Sequence, residues 1–174
     1  MRRDIEALFE VLDPSEMNVV EVSGGRRTGY PWASYTRLAY PEFDLCDPSP
    51  THDGKFDLVI CEQVLEHVEN PVTAAGTLKA LCAPGGMVLV STPFLVRIHN
   101  HPADYWRFTP DGLRKLLECQ GLHVEWVRSW GNRAAVRRNL RVWAHYWPWR
   151  SLKNDPDTPV MVWALARSAD ASEA

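Results

Sequence analysis

Two apolar runs of the sequence, Phe56–Cys61 and Met87–Ser91, are each followed by side chains that can accept a proton. A hydroxyl substrate that acts as a nucleophile needs such a base within hydrogen-bond reach, and imidazoles and carboxylates are the usual choices. The candidate catalytic residues are His67, His101 and Asp104. The candidates for orienting a substrate are Tyr105 and Arg107.

The same side chains allow other interpretations. His67 could be a histidine at the start of a helix, capped by its neighbours, and the loop around Tyr105 could serve packing alone. The pair His99 and His101, together with Asp104, could suggest a metal site. No third histidine stands at ligand spacing, so no metal is predicted.

A glycine pair follows the first apolar strand, in the segment Glu21-Val-Ser-Gly-Gly25. Glycines let the backbone approach a ligand closely, and a carboxylate there suits a ribose or an amino group. The dinucleotide fingerprint fails because its third position is Arg26. The phosphate loop fails because Tyr30 and Pro31 replace its lysine and hydroxyl. A tight turn without a ligand is the alternative.

Hydrophobic periodicity predicts helices that alternate with strands. Helices are predicted over residues 5–12, 71–81 and 109–120. Strands are predicted over residues 18–22, 56–61, 87–91, 124–127 and 160–166, with weaker candidates at 35–39 and 43–46. Continuous apolar strands between helices favour a mainly parallel α/β sheet that is covered on both faces. Ligands of such sheets bind beyond the carboxyl ends of the strands.

Three segments, Val19–Gly25, Phe56–Val68 and Leu81–Pro93, occur in this order at a spacing that resembles a known family. They are similar to the class I S-adenosylmethionine-dependent methyltransferases, in the branch of the ubiquinone-type O-methyltransferases. The segment 99–113 resembles a sub-branch met in small-molecule and polysaccharide biosynthesis. The resemblance implies a Rossmann-like α/β domain over residues 1–167 with an antiparallel last strand. Residues 168–174 are expected to form a frayed tail.

The resemblance also implies that the cofactor is S-adenosylmethionine. In the family, the acid of the first strand and the following loop hold the methionine part, and an acid near the end of the third strand meets the adenine. Asp44 matches that second acid better than Asp47. The implied cofactor-binding residues are Glu21, Ser23, Gly24, Gly25, Asp44, Leu45, Cys61, Glu62 and Gln63.

The sequence departs from the family pattern in three places. Ser23 and Arg27 stand at glycine positions of the loop, and no acid ends the second strand, where Ala39 or Tyr40 takes the place of the ribose ligand. Only 30 residues separate Gly25 from Phe56, which is too few for two full strands and two full helices. The sheet is therefore expected to be reduced in its second and third strands.

The stretch between Trp126 and Lys153 is basic and rich in tryptophan, with six arginines, one lysine and no acid. Helical spacing places one set of side chains on a polar stripe: Arg133, Arg137, Arg141 and His145. It places another set on an apolar stripe: Val136, Leu140, Trp143 and Trp147. We expect a helical insertion over about residues 129–156, with the helix at 133–147 acting as a lid, a homodimer contact or a contact to a partner subunit. Peripheral membrane contact is an alternative, and nucleic-acid binding is disfavoured because no RNA-binding module is recognisable.

Length and composition favour a single domain in the cytoplasm, and the resemblance implies that it is an enzyme. The chain has 174 residues and a net charge of −3, no apolar run of membrane-spanning length and no signal-peptide pattern. The predicted function is methyl transfer from S-adenosylmethionine to a small-molecule acceptor, at oxygen, in a biosynthetic pathway. The alternative is a non-catalytic relative that has lost its cofactor and acts as a binding or scaffold subunit.

Overall fold

Six strands and four α-helices lie in the part of the chain that the computed structural model describes, residues 1–47, 54–100, 102–142 and 153–170. The helices are α1 (Arg2–Val11), α2 (Pro71–Leu81), α3 (Pro110–Glu118) and α4 (Arg133–Asn139), with a short 3-10 helix at Pro14–Glu16. The strands are β1 (Asn18–Val22), β2 (Ser34–Leu38), β3 (Phe56–Glu62), β4 (Cys82–Pro93), β5 (His123–Trp130) and β6 (Met161–Arg167).

The strands form one sheet in the order β2-β1-β3-β4-β6-β5. The pairs β1–β2, β1–β3 and β3–β4 are parallel, whereas β6 is antiparallel to both β4 and β5. This arrangement confirms the predicted α/β fold, mostly parallel with an antiparallel last strand. Parallel pairing brings the carboxyl ends of β1 and β3 side by side, with Val22 opposite Cys61.

Alternate residues of the central strands build two hydrophobic cores on opposite faces of the sheet. On one face, Val20 and Val59 pack with apolar residues of α2 and α3. On the other, Val19 and Leu58 pack with Ile5 and Phe9 of α1. Both faces of the sheet are therefore covered, as the continuous apolar strands predict.

The helices that flank the candidate site begin where the sequence predicts. Asn70 caps α2 by accepting hydrogen bonds from the backbone amides of Val72 and Thr73, at 3.1 Å each. Thr109 caps α3 by accepting from the amide of Gly112 at 3.0 Å. Each cap is followed by a proline at the first helical position. Proline lacks an N–H, but an N–H at this position would have no partner within the helix. These caps fix the end at which the segment after β3 enters α2 and the end at which the preceding loop enters α3.

Two weaker predictions need correction. Residues 43–46 form turns and no strand, so β2 is the only strand between β1 and β3 in the described residues, and the sheet is reduced as expected. The fourth helix ends at Asn139, well short of residue 147, and residues 143–152 lie outside the described part. The predicted stripe positions Trp143, His145 and Trp147 therefore fall outside it as well.

The chain stays attached to the sheet just beyond Arg167, where the predicted tail begins. The amide of Ser168 donates to the carbonyl of Gly86 at 2.9 Å, and the carbonyl of Ala169 accepts from the amide of Gly85 at 3.1 Å. The tail is thus not frayed at its first two residues. Within the described ranges, no helix is long and apolar enough to span a bilayer.

Candidate functional site

A cavity of about 620 Å³ opens beyond the carboxyl ends of β1 and β3. Its volume lies within the range of about 300–1,000 Å³ that is usual for small-molecule sites. Its walls combine apolar with a few polar side chains. The lining residues are Val22, Ser23, Tyr40, Phe43, Asp44, Leu45, Cys46, Gln63, Val64, His67, Val68, Glu69, Pro102, Ala103 and Tyr105.

The cavity gathers only part of the predicted cofactor-binding set. Ser23, Asp44, Leu45 and Gln63 line it, together with the predicted catalytic residue His67 and substrate residue Tyr105. The predicted positions Glu21, Gly24, Gly25, Cys61 and Glu62 do not line it. The cavity lining therefore supports part of the predicted set, and the role of the other five residues in cofactor binding stays a prediction.

Two cavity residues have backbone angles that ordinary side chains rarely adopt. Ser23 has a φ of 56° and Gln63 a φ of 60°, both in the left-handed region that favours glycine. Ser23 thus keeps a glycine-like backbone at the position where the family loop has glycine. Gln63 is held in place because its amide donates to the carbonyl of Ser91 at 2.8 Å and its side chain donates to the Ser91 hydroxyl at 3.0 Å.

The carboxylate of Glu21 is hydrogen-bonded within its own loop and does not line the cavity. It accepts hydrogen bonds from the backbone amides of Arg26 and Arg27 at 3.1 and 3.0 Å and from the Tyr35 hydroxyl at 2.6 Å. Burial raises the pKa of Glu21, but these donors and the Gly25 amide outweigh it, so the pKa is lowered from its usual value. Glu21 therefore shapes the loop that carries Ser23, and its role toward the cofactor stays a prediction.

The carboxylate of Glu21 leaves space only for a glycine at position 24. A Cβ atom at this position would lie 1.8 Å from Oε1 of Glu21, far inside van der Waals contact. Gly25 has open space around it and a φ of 152°. Gly24 therefore serves the packing of the loop against Glu21, whereas Gly25 supplies a backbone angle that other residues rarely adopt.

Arg27 forms a buried ion pair with Glu62. Its Nε and Nη2 atoms donate to the two carboxylate oxygens at 2.9 and 3.0 Å, and its guanidinium lies 5.8 Å from the ring centroid of Phe9 in α1. Both side chains are largely shielded from solvent. The positive charge of Arg27 is thus neutralised by Glu62 beneath α1. Arg27 does not line the cavity, so its charge does not lie beside the space where the positively charged sulfur of S-adenosylmethionine would bind.

A second group of ionisable side chains lies at the cavity wall, around Glu66. This side chain is fully buried, and neither carboxylate oxygen has a hydrogen-bond partner. Burial is the largest effect on its pKa and raises it to about 7. The Nε2 atoms of His67 and His99 lie 3.6 and 3.8 Å from Oε1 of Glu66.

Asp104 holds the loop that carries His99. Its carboxylate forms a two-pronged ion pair with Arg107 and accepts a hydrogen bond from the His99 amide at 2.8 Å. The hydrogen bonds from Arg107 are the largest effect on its pKa, which falls to about 2. An acid this strong is a poor proton acceptor near neutral pH, so the expectation that Asp104 is a base gives way to a positioning role. His101, the third predicted catalytic residue, lies outside the described residues.

A smaller cavity of about 380 Å³ adjoins the first across Tyr105, which lines both. Asp104 and Arg107 form its polar wall, and Val136 and Leu140 of the α4 region line it. The remaining lining residues are Phe94, Leu95, Val96 and Ile98.

Glu66 is a site residue that the sequence analysis missed. It sits within Val64-Leu65-Glu66-His67-Val68, where an acid between apolar residues could have signalled a buried carboxylate. His99 was considered only as a partner of His101, because the contact with His67 spans 32 positions of sequence. No local spacing reveals such a pairing.

A family model described as a methyltransferase domain matches residues 1–154. A ubiquinone biosynthesis O-methyltransferase of Vibrio parahaemolyticus is 37% identical over 90 residues. That match covers 51% of this chain and 36% of the relative, so the aligned region is about a third of the curated protein's length.

Solved structures share the fold at low sequence identity. The S-adenosylmethionine-dependent methyltransferase of Mesorhizobium loti has a TM-score of 0.57 at 15% identity, covering 93% of this chain and 96% of that one. The 1,6-didemethyltoxoflavin-N1-methyltransferase of Burkholderia thailandensis, solved with S-adenosylhomocysteine and its acceptor, has a TM-score of 0.58 at 14% identity. It covers 97% of this chain and 83% of that one.

Proposed function

This chain belongs to the methyltransferase domain family, and on that premise we propose that it transfers a methyl group from S-adenosylmethionine to an oxygen of a small-molecule acceptor. The family match confirms the resemblance to class I methyltransferases, whose cofactor is S-adenosylmethionine. Transfer to oxygen is supported by the similarity to O-methyltransferases of ubiquinone biosynthesis.

The observation that carries the proposal is the cavity beside Ser23. A cavity of ligand size lies at the carboxyl edge of the parallel strands, and the adjoining loop turns through a glycine-like residue although the residue is serine. The residues that would hold the cofactor there are Ser23, Asp44, Leu45 and Gln63. Apolar side chains of Phe43 and Val64 supply a surface on which a planar base can pack.

The chemistry asks two things of this chain's own residues. The cofactor supplies an activated methyl group, so placing the acceptor oxygen in line with it accounts for much of the acceleration. We assign the removal of the hydroxyl proton to His67, which lines the larger cavity. Tyr105 stands between the two cavities, and we place the acceptor across it, with the reacting oxygen in the larger cavity near His67 and the rest of the molecule in the smaller one, against Arg107.

Calorimetric titration with S-adenosylhomocysteine tests the cofactor site. Ser23→Gly removes the Cβ from a left-handed residue and keeps the cavity open, so it should bind at least as tightly as the wild type. Ser23→Trp places a large ring at the cavity, and we expect at least tenfold weaker binding, which is about 1.4 kcal/mol.

Thr28→Trp is the matched control, because Thr28 is exposed on the same loop and does not line the cavity. It should bind S-adenosylhomocysteine like the wild type. Absence of wild-type binding up to about millimolar concentration, or equal binding by Ser23→Trp, would contradict the proposed cofactor site.

A non-catalytic scaffold is the second candidate, and one observation favours it. The second strand, β2, ends at Leu38 without a carboxylate, and Tyr40 lines the cavity where a ribose ligand is expected. A protein that has lost its cofactor would fail the titration in every variant while remaining folded by circular dichroism. Saturable binding of S-adenosylhomocysteine by the wild type would instead contradict the loss of the cofactor site.

The insertion before the last strand fits a lid better than the alternatives. Val136 and Leu140 line the smaller cavity, which supports a role in shaping the acceptor site. A homodimer or partner-subunit contact, a peripheral membrane contact, the insertion bounds 129–156 and the cytoplasmic location stay predictions.

A further inference from the structure

The end of the second strand presents an aromatic side chain where nucleotide-binding α/β sheets present an acid. In dinucleotide-binding sheets, a carboxylate after the second strand accepts a hydrogen bond from a ribose hydroxyl of the ligand. Here β2 ends at Leu38, and the next two residues are Ala39 and Tyr40. Tyr40 lines the larger cavity, whereas Ala39 does not. The side chain that this strand offers to a ribose is therefore a phenol ring.

The backbone around Tyr40 is tied to the loop that follows β1. The amide of Ser23 donates to the carbonyl of Leu38 at 2.7 Å, which joins the end of β2 to that loop. The amide of Phe43 donates to the carbonyl of Ala39 at 3.0 Å and closes the turn in which Tyr40 lies. Ser23, Tyr40 and Phe43 all line the cavity. The aromatic ring of Tyr40 is thus carried by a hydrogen-bonded turn at the cavity wall.

The side chain of Tyr40 is exposed, and its ring is open to a ligand. Of its surface, 71% is accessible, the largest exposed fraction among the aromatic residues that line the cavity. Covering an exposed aromatic ring with a planar ligand removes apolar surface from water on both partners, which favours binding. Exposure at a cavity wall therefore fits a contact with a ligand better than a contact within the core.

The acids nearest to Tyr40 do not take the place of the ribose ligand. Glu42, the first acid after β2, is exposed and does not line the cavity. Asp44 lines it, but its Oδ1 accepts a hydrogen bond from the Cys46 amide at 2.8 Å, and the family resemblance assigns this acid to the adenine. Glu69 also lines the cavity, on the segment after β3, and β1 separates β3 from β2 in the sheet. A carboxylate at the end of β2 is thus not replaced from the neighbouring turn.

We propose that Tyr40 packs its ring against the nucleoside of S-adenosylmethionine, in place of the acid that binds the ribose hydroxyls. Aromatic side chains stack on nucleic-acid bases of any sequence, because every base has a π face. Such packing requires no hydroxyl on the sugar. The 2′-hydroxyl of the cofactor should therefore contribute little to its affinity for this chain.

This inference rests on the proposed cofactor site and states how that site recognises its ligand. The absence of an acid after β2 is the observation that favours a scaffold without cofactor. With Tyr40 as a packing surface, the same observation indicates a changed mode of recognition in a site that still binds. The two interpretations differ in a measurable way, because only the second predicts binding that is insensitive to the sugar hydroxyl.

Calorimetric titration with S-adenosylhomocysteine and with its 2′-deoxy analogue tests the inference without any acceptor. We expect the wild type to bind the two ligands with dissociation constants that agree within about threefold, since no carboxylate receives the 2′-hydroxyl. Tyr40→Ala removes the ring and should weaken the binding of both ligands by about tenfold or more. Tyr40→Phe keeps the ring and should bind both ligands like the wild type.

Tyr40→Glu places an acid at the end of β2 and should create a preference that the wild type lacks. Its carboxylate can accept a hydrogen bond from the 2′-hydroxyl, so S-adenosylhomocysteine should bind about tenfold more tightly than the 2′-deoxy analogue. A purely structural role of Tyr40 would not produce this preference. Glu42→Ala is the matched control, because Glu42 is exposed in the same turn outside the cavity lining, and it should bind both ligands like the wild type.

Three results would overturn the role of Tyr40 and leave the cofactor site intact. They are a wild type that binds the 2′-deoxy analogue about tenfold more weakly than S-adenosylhomocysteine, unchanged binding by Tyr40→Ala, and a Tyr40→Glu variant without the new preference. A wild type that binds neither ligand would overturn the cofactor site together with this inference. Circular dichroism checks that each variant is folded, and if Tyr40→Ala is not, the two ligands compared on the wild type still decide.

Discussion

Two buried groups of charged side chains lie near the same sheet edge, and they differ in how their carboxylates are satisfied. Glu62 receives two hydrogen bonds from Arg27, and Glu21 receives three from its loop and from Tyr35. Glu66 is more deeply buried than Glu62 and receives none. The first group is hydrogen-bonded within itself, whereas Glu66 lies 3.6 and 3.8 Å from two imidazoles without a hydrogen bond to either.

This difference in hydrogen bonding distinguishes two kinds of buried carboxylate within a few residues of sequence. A carboxylate whose oxygens are all bonded within the chain contributes to the shape and stability of the fold. A carboxylate buried without hydrogen bonds favours its neutral form, and burial raises the pKa of Glu66 to about 7. We therefore assign the Arg27–Glu62 pair to structure, whereas Glu66 is an acid that can take up a proton near neutral pH.

Substitution of Arg27, which breaks its ion pair with Glu62, should lower the free energy of unfolding most. Arg27→Ala leaves Glu62 buried without its cation, and we expect the free energy of unfolding to fall by about 3–5 kcal/mol. Urea unfolding followed by circular dichroism measures the loss. The double variant Arg27→Met with Glu62→Met removes both charges and should recover most of the stability. A double variant no more stable than Arg27→Ala would show that the ion pair is not the cause.

Substitution of Gly24 should have the next largest effect. The new methyl group of Gly24→Ala would meet the carboxylate of Glu21, so the loop or the acid must shift, and we expect a loss of about 1–3 kcal/mol. Because the same loop borders the cavity at Ser23, binding of S-adenosylhomocysteine should weaken too. Gly29→Ala is the control, since a Cβ there meets open space. Equal stability of the two variants would refute the packing role of Gly24.

Much of the fold could be predicted because its signals are local. Caps such as Asn70 and Thr109, each followed by proline, and apolar strands such as β3 lie within single short segments. The incorrect prediction of a strand at residues 43–46 also has a physical cause. Its apolar side chains, Phe43 and Leu45, pack against the core from turns, and a short apolar segment does not distinguish that from a strand.

The candidate site could be predicted only in outline, because its chemistry depends on contacts between distant segments. The family pattern places Glu21 and Glu62 near the sheet edge where the cavity opens, but it does not reveal that Arg27 turns under α1 to meet Glu62, 35 positions away. In the same way, His99 reaches Glu66 only because the loop before α3 folds back over the cavity. Those pairings are consequences of the tertiary fold.

Substitution of Glu66 should have the smallest effect on stability, and this sharpens the comparison. Glu66→Gln keeps the shape of the side chain and removes a carboxylate that has no hydrogen-bond partner, so we expect the free energy of unfolding to stay within about 1 kcal/mol of the wild-type value. Urea unfolding followed by circular dichroism measures this. A loss as large as that of Arg27→Ala would instead mean that Glu66 has partners within the chain, and that both groups are structural.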